Sequence, residues 1–235
     1  MATFKAIMNE VLGTLSEDEV AASITELDSD YHKLIAHFVN QIKEEIEDAH
    51  NWSQLWTDLS VTIPGEAHSA PIVGANQRSR LVRVQQSNAF DTAALVFDVT
   101  IPSNTRQLIE LDYSELVYRR RVNAETVNDA PVYFALKMGA DGIPNIFVYP
   151  TPLQTRLLSV TMVVPQERVA FNQLDTVILI PNRPLEIGVI WYALHERGEE
   201  LGVNSLYTEE RFRLALDAAI ARDWTEQGGL DLVAK

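Results

Sequence analysis

Apolar residues recur at three- and four-residue spacing near both ends of the chain and at alternate positions through its middle. Phe4, Ile7, Met8, Val11 and Leu12 share one face of an opening helix that Gly13 ends. Ser16 or Asp18 is expected to open a second, shorter helical stretch through Val20, Ile24 and Leu27. Asp28, Ser29 and Asp30 then offer N-caps for a long helix. Its apolar face is Tyr31, Leu34, Ile35, Phe38, Val39, Ile42 and Ile46. Lys33, Gln41, Lys43, Glu44, Glu47 and Asp48 fall on the other side and read as a solvated face.

Towards the other end, Asn182 and Arg183 lead into a helix expected over residues 185–201, with Pro184 in the first turn. Ile187, Ile190, Trp191 and Leu194 form its expected buried stripe, and Gly202 and Asn204 close it. Thr208 is the expected cap of a last helix running to about Gln227, with Tyr207 and Phe212 as a hydrophobic staple around it. Leu216, Ala219, Ile220 and Asp223 continue one face until Gly228 and Gly229. The apolar residues that follow, Leu230, Leu232 and Val233, are too few to fold alone and invite a partner.

Between these helical ends the period changes to two. Strands are expected over residues 59–63, 79–84, 93–101, 107–113, 131–136, 146–149 and 157–164. Residues 139–142 make a hairpin turn, and residues 114–121 a short helix carrying Arg119, Arg120 and Arg121. The pattern predicts an α+β protein. An antiparallel helical bundle would be built from residues 1–57 plus 182–235, with an antiparallel β-sandwich or barrel domain inserted over residues 58–181.

Chemistry is sparse. The chain has no cysteine, so disulfides, thiolate metal sites and thiol nucleophiles are excluded. His32 and His37 lie five apart and share no helix face, and His195 lacks a second histidine at helical spacing, so no metal site is expected. The acidic run at Glu44, Glu45, Glu47 and Asp48 splays around a helix and does not converge on an ion. No glycine-rich phosphate loop or Gly-x-Ser-x-Gly elbow is present, so no cofactor is expected. Asp91, Asp98 and Asp112 stand on or near strands as the remaining acid–base candidates for a small hydrolase. No apolar run is long enough to span a bilayer, and the first residues carry no signal-peptide pattern.

The net charge of −14 argues against sequence-reading nucleic-acid binding, which needs a basic surface. Taken alone it is read first as solubility, and it also suits a surface past which DNA moves without sticking. Arg119, Arg120 and Arg121 form the basic cluster, read as interfacial or internal salt-bridge partners in preference to nucleic acid. A carbohydrate-binding β-sandwich module is the alternative, with Tyr118, Tyr133 or Tyr149 as its exposed aromatics.

The order of segments carries a resemblance. A short helix precedes a long one ending in His50-Asn51-Trp52 and Trp56. The β block contains Pro131-Val132-Tyr133-Phe134-Ala135-Leu136 and Ile146-Phe147-Val148-Tyr149-Pro150-Thr151-Pro152. Ile180-Pro181-Asn182-Arg183-Pro184 then leads into the closing helices. This layout resembles the head-to-tail adaptor proteins of tailed bacteriophages, over nearly the whole chain. The resemblance implies a non-enzymatic virion protein of the neck, assembled in the host cytoplasm as a ring, usually of twelve copies, beneath the portal protein. It implies neighbouring copies, the portal and a downstream tail or nozzle protein as partners, and DNA passing through the lumen. It also implies portal docking by the tail that holds Leu230, Leu232 and Val233.

Overall fold

The computed structural model describes residues 1–85, 92–122, 127–128, 130–198 and 203–226. Among them are five α-helices: α1 (Phe4–Thr14), α2 (Asp30–Ala49), α3 (Tyr113–Val122), α4 (Asn182–Glu196) and α5 (Val203–Glu226). The first strands are β1 (Trp56–Ile63), β2 (Ser69–Pro71), β3 (Arg80–Leu81), β4 (Arg83–Gln85), β5 (Thr92–Ala94), β6 (Val96–Asp98), β7 (Arg106–Gln107) and β8 (Ile109–Glu110). The remainder are β9 (Val127–Asn128), β10 (Tyr133–Met138), β11 (Pro144–Tyr149), β12 (Thr151–Pro152) and β13 (Arg156–Val163). The protein is α+β, and it divides into two compact units: Met1–Leu55 with Gln166–Lys235, and Trp56–Pro165. Residues 166–181, expected within the β block, therefore belong to the helical unit.

In the helical unit, α4 packs on α1, α2 and α5. Phe4, Ile7, Met8, Val11 and Leu12 of α1 are all buried, as their spacing predicts. Thr3 caps α1 by accepting a hydrogen bond from the Ala6 N–H at 3.3 Å. The backbone of residues 2–5 runs beside residues 174–178, with the Phe4 N–H donating to the Thr176 carbonyl at 2.8 Å. The expected helix between Ser16 and Leu27 is instead an irregular loop. Side chains of α1 take its backbone groups. Asn9 accepts from the Val20 N–H and donates to the Val20 carbonyl, while the Lys5 ammonium donates to the carbonyls of Ala22 and Ile24. A loop satisfied in this way has no need of helical hydrogen bonds.

The largest departure from the sequence pattern lies on α2. Lys43 and Glu47, expected in solvent, are completely buried and paired at 3.1 Å. With Asn40 they present a row of polar groups to the extended segment that starts at Gln166. Lys43 Nζ donates to the Gln166 carbonyl at 2.7 Å, and Glu47 Oε1 accepts from the Gln166 N–H at 3.2 Å. Asn40 likewise accepts from the Val169 N–H at 2.8 Å and donates to its carbonyl at 3.0 Å. The helix thus supplies through side chains the donors and acceptors that a neighbouring strand would supply through its backbone. Glu44 is held by Arg168 at 2.7 Å.

The covered face of α4 is Leu185, Gly188, Val189 and Ala193, not the expected stripe of Ile187, Ile190, Trp191 and Leu194, which is half-buried. Gly188 sets this rotation. A Cβ there would stand 2.7 Å from Ile42 Cγ2 and 3.0 Å from Phe212 Cε2. Only a bare Cα allows α2 and α5 to approach α4 so closely. Gly188→Ala is expected to destabilise the protein by about 1–3 kcal/mol, because the overpacking outweighs the helix-propensity gain. A urea titration showing equal or greater stability for the variant would refute this reading. The helix ends at Glu196, with Gly198 at a φ of +73°, earlier than the expected close at Gly202. Since α5 already begins at Val203, Thr208 lies inside the helix, and exposed Tyr207 does not act as a staple.

In the β unit, β13 is the central strand of a five-stranded sheet ordered β1-β13-β6-β7, with β3 also on β13. β1 pairs with it antiparallel over its whole length, from Trp56 opposite Val163 to Ile63 opposite Arg156. A second sheet runs β2-β11-β10-β8, and its β10–β8 pair is parallel, as is the separate β12–β9 pair. The expectation of a wholly antiparallel block fails at those two short pairings. Val61, Ile63, Val96, Leu158, Val160 and Met162 of the first sheet share one apolar cluster with Ala70, Phe134, Ile146 and Val148 of the second. These side chains sit at alternate positions along their strands, which is the period-two signal of the sequence.

Candidate interaction surface

The nominated residues separate into three groups. Leu230, Leu232 and Val233 lie outside the described residues, as does Asp91. Arg119, Arg120 and Arg121 stand together on the last turn of α3, a helix that buries only Leu116. Asp98 and Asp112 sit in different surroundings. Asp98 is buried with its carboxylate 3.6 Å from Arg156 and accepting the Thr100 N–H, while Asp112 is exposed. Among the described residues no group of three or more His, Asp or Glu side chains is placed to hold a metal ion.

The α3 surface is built from the helix upward. Leu116 anchors it in a small cluster with Ala135 and Tyr149, against which Tyr113, Tyr133 and Phe147 pack. Arg119 bonds Glu115 one turn back at 2.6 Å and lies 4.7 Å over the Tyr133 ring. That carboxylate bond raises the Arg119 pKa further above its ordinary value. Lys137 of β10 sits 4.7 Å over the Tyr113 ring. Tyr118 and Val122 project outward, 65% and 58% exposed, and Ile109 is 54% exposed. The result is a surface of cations set on aromatic rings, with apolar side chains among them. His68 in the same unit is held below its ordinary pKa, first by burial and then by the Arg120 charge.

The three tyrosines considered for sugar binding do not make one platform. Tyr133 and Tyr149 stack on each other at 6.4 Å, with Tyr149 buried, and only Tyr118 is presented to solvent. A polar cluster that spacing alone does not reveal lies in the helical unit. Buried Asp223 of α5 accepts from Ser53 Oγ at 2.6 Å and pairs with His50 Nε2 at 2.8 Å. Its sequence signal was a carboxylate continuing the apolar face of Leu216, Ala219 and Ile220, a position that demands partners.

No protein-family model matches the chain, and no curated protein matches it either. Among the described residues no helix is long and apolar enough to cross a membrane.

Proposed function

We propose that this chain is a structural subunit of a bacteriophage neck, a head-to-tail adaptor that forms a ring beneath the portal and continues the DNA channel. The observation that supports it best is the pairing of the two chain ends in one helical unit, with the intervening residues 56–165 in a β unit of their own. That is the segment order on which the adaptor resemblance rests. In this reading the helices of the first unit make an antiparallel bundle, and the two sheets with their common apolar cluster make a β-sandwich. The role is non-enzymatic and resides in the virion. A charge of −14 per copy around a lumen would let DNA slide past. Arg119, Arg120 and Arg121 would serve the contact with a neighbouring copy or with the downstream tail or nozzle protein, where cations and exposed Tyr118 and Val122 suit an acidic, partly apolar surface.

The tail of residues 229–235 is the proposed portal anchor, through Leu230, Leu232 and Val233. Each buried apolar side chain would contribute about 1.5–3 kcal/mol, repeated around the ring. Deleting residues 229–235 is expected to leave thermal melting nearly unchanged while abolishing attachment to DNA-filled heads. Attachment is read by co-sedimentation of the purified chain with portal-bearing heads. Wild-type occupancy by the truncated chain would remove the tail as anchor, and failure of the intact chain to bind heads would remove the adaptor assignment.

A further inference from the structure

The acidity of the chain is unevenly divided. The β unit, Trp56–Pro165, carries 10 acidic and 9 basic residues, a net charge of −1. The helical unit carries 23 and 10, a net charge of −13. Residues 16–30 of the helical unit hold 6 of those acids and no basic residue, and all 6 side chains are exposed. Arg197 takes Glu17 at 2.6 Å. The carboxylates of Asp18, Glu19, Glu26, Asp28 and Asp30 have no cationic or hydrogen-bonding partner among the described residues. Exposed Ile24 lies among them, and the bonds from Asn9 and Lys5 fix the backbone that carries them.

The last turn of α3, in the β unit, has the opposite character. Arg120 and Arg121 hold no carboxylate among the described residues, unlike Arg119, which Glu115 occupies. Tyr118, Arg121 and Val122 stand three and four residues apart and share the outward face of the helix. Their apolar surface lies among cations as Ile24 lies among carboxylates. A planar guanidinium meets a carboxylate through paired N–H donors, so each surface supplies what the other lacks.

We propose that α3 of one copy docks on the loop of residues 16–30 of a second copy. This rests on the neighbour contact of the functional reading above and names both of its halves, in preference to a tail protein. Because the two surfaces differ, the contact is head-to-tail. Each added copy leaves one α3 and one loop unfilled, so copies join in sequence until they close into a ring or extend as a filament. Two chains of charge −14 repel each other as wholes. Screening over about 8 Å at physiological salt leaves the contact itself to the charges that meet there. Loop against loop, or α3 against α3, would set charges of one sign together, which disfavours a two-fold contact through either surface. A phosphodiester backbone could occupy the guanidiniums, but it offers Val122 no apolar side chain and leaves the loop carboxylates unpartnered.

The test uses the purified full chain and sedimentation velocity over rising concentration, where the wild-type mass is expected to increase. Arg120→Glu with Arg121→Glu is expected to weaken association roughly tenfold or more, and so is Asp18→Lys with Glu19→Lys. None of the four side chains belongs to the buried core, so the melting temperature should hold. Mixing the two variants is expected to restore association, since the reversed α3 of one meets the reversed loop of the other. A variant that had merely misfolded could not be rescued in this way. Carbodiimide coupling of an Arg121→Lys variant, as a mixture of isotopically light and heavy chains, is expected to join Lys at 121 to loop carboxylates in peptides of mixed label. A monomer at every concentration, no rescue on mixing, or cross-links within single chains alone would each overturn the proposal. So would a thymidine oligonucleotide that binds the wild type and is lost from the double arginine variant, because α3 would then serve nucleic acid. Binding to portal-bearing heads by copies that ignore one another would overturn this contact and keep the adaptor reading. Copies that associate as described yet have no affinity for heads would support the contact and remove that reading.

Discussion

Lys43→Ala is expected to lower the stability of the protein by about 3–5 kcal/mol, the cost of leaving a buried carboxylate without its cation. Lys43 and Glu47 have no exposed side-chain surface, and the ammonium also holds the Gln166 carbonyl at 2.7 Å. Removing it orphans a charge and a backbone acceptor together. Urea denaturation measures the effect, with an unchanged slope indicating that the same surface is exposed on unfolding. Replacing the pair by Lys43→Met with Glu47→Leu removes the stranded charge. It still leaves the Gln166 N–H and carbonyl without partners, so a residual loss of about 1–3 kcal/mol remains. A loss below about 1 kcal/mol for Lys43→Ala would mean that the ammonium reaches water.

Trp52→Ala should cost a similar amount, about 3–5 kcal/mol, through the cavity left by a fully buried indole. Trp52 has no exposed surface, meets the His50 ring edge-on at 4.9 Å, and its Nε1–H donates to the Ile46 carbonyl at 2.7 Å. That carbonyl belongs to the last turn of α2, where no intrahelical N–H follows to claim it. Trp52→Phe separates the two contributions. It retains most of the apolar surface but leaves the Ile46 carbonyl unpaired, for an expected loss of about 1–3 kcal/mol. Equal losses for the two variants would show that the hydrogen bond, not the packing, dominates at this position.

The apolar periods made the elements legible where each face meets a single environment. The buried residues of α1 and the long β1–β13 pairing follow directly from spacing. The pattern misled where a polar residue is buried because something distant in sequence needs it. Lys43 and Glu47 look like a solvated i, i+4 pair, and nothing local distinguishes them from one. Their reason for burial is the backbone of Gln166, 123 residues away from Lys43. Gly188 misled in the same way, since a glycine inside a helix signals a weak position until its neighbours Ile42 and Phe212 are known. The helical spacing of Val20, Ile24 and Leu27 lost to side-chain hydrogen bonds from Asn9 and Lys5. The α3 cluster was legible as three consecutive arginines. The buried cluster of His50, Ser53 and Asp223 was not, because its members come from two segments about 170 residues apart.

The polar row on α2 also bears on the order in which the chain becomes protein on the ribosome. Residues 1–55 emerge first, but the segment that Asn40, Lys43 and Glu47 grip is made only after the whole β unit has been synthesised. Through that interval α2 must wait with its inner face uncovered, in a crowded solution where bare apolar surface collects wrong partners. An ammonium, a carboxylate and an amide flank that face and keep the side that will meet residues 166–169 hydrated during the wait. The same three groups later close on residues 166–169 as the helical unit forms. The β unit, continuous in sequence, has no such delay and can complete itself first.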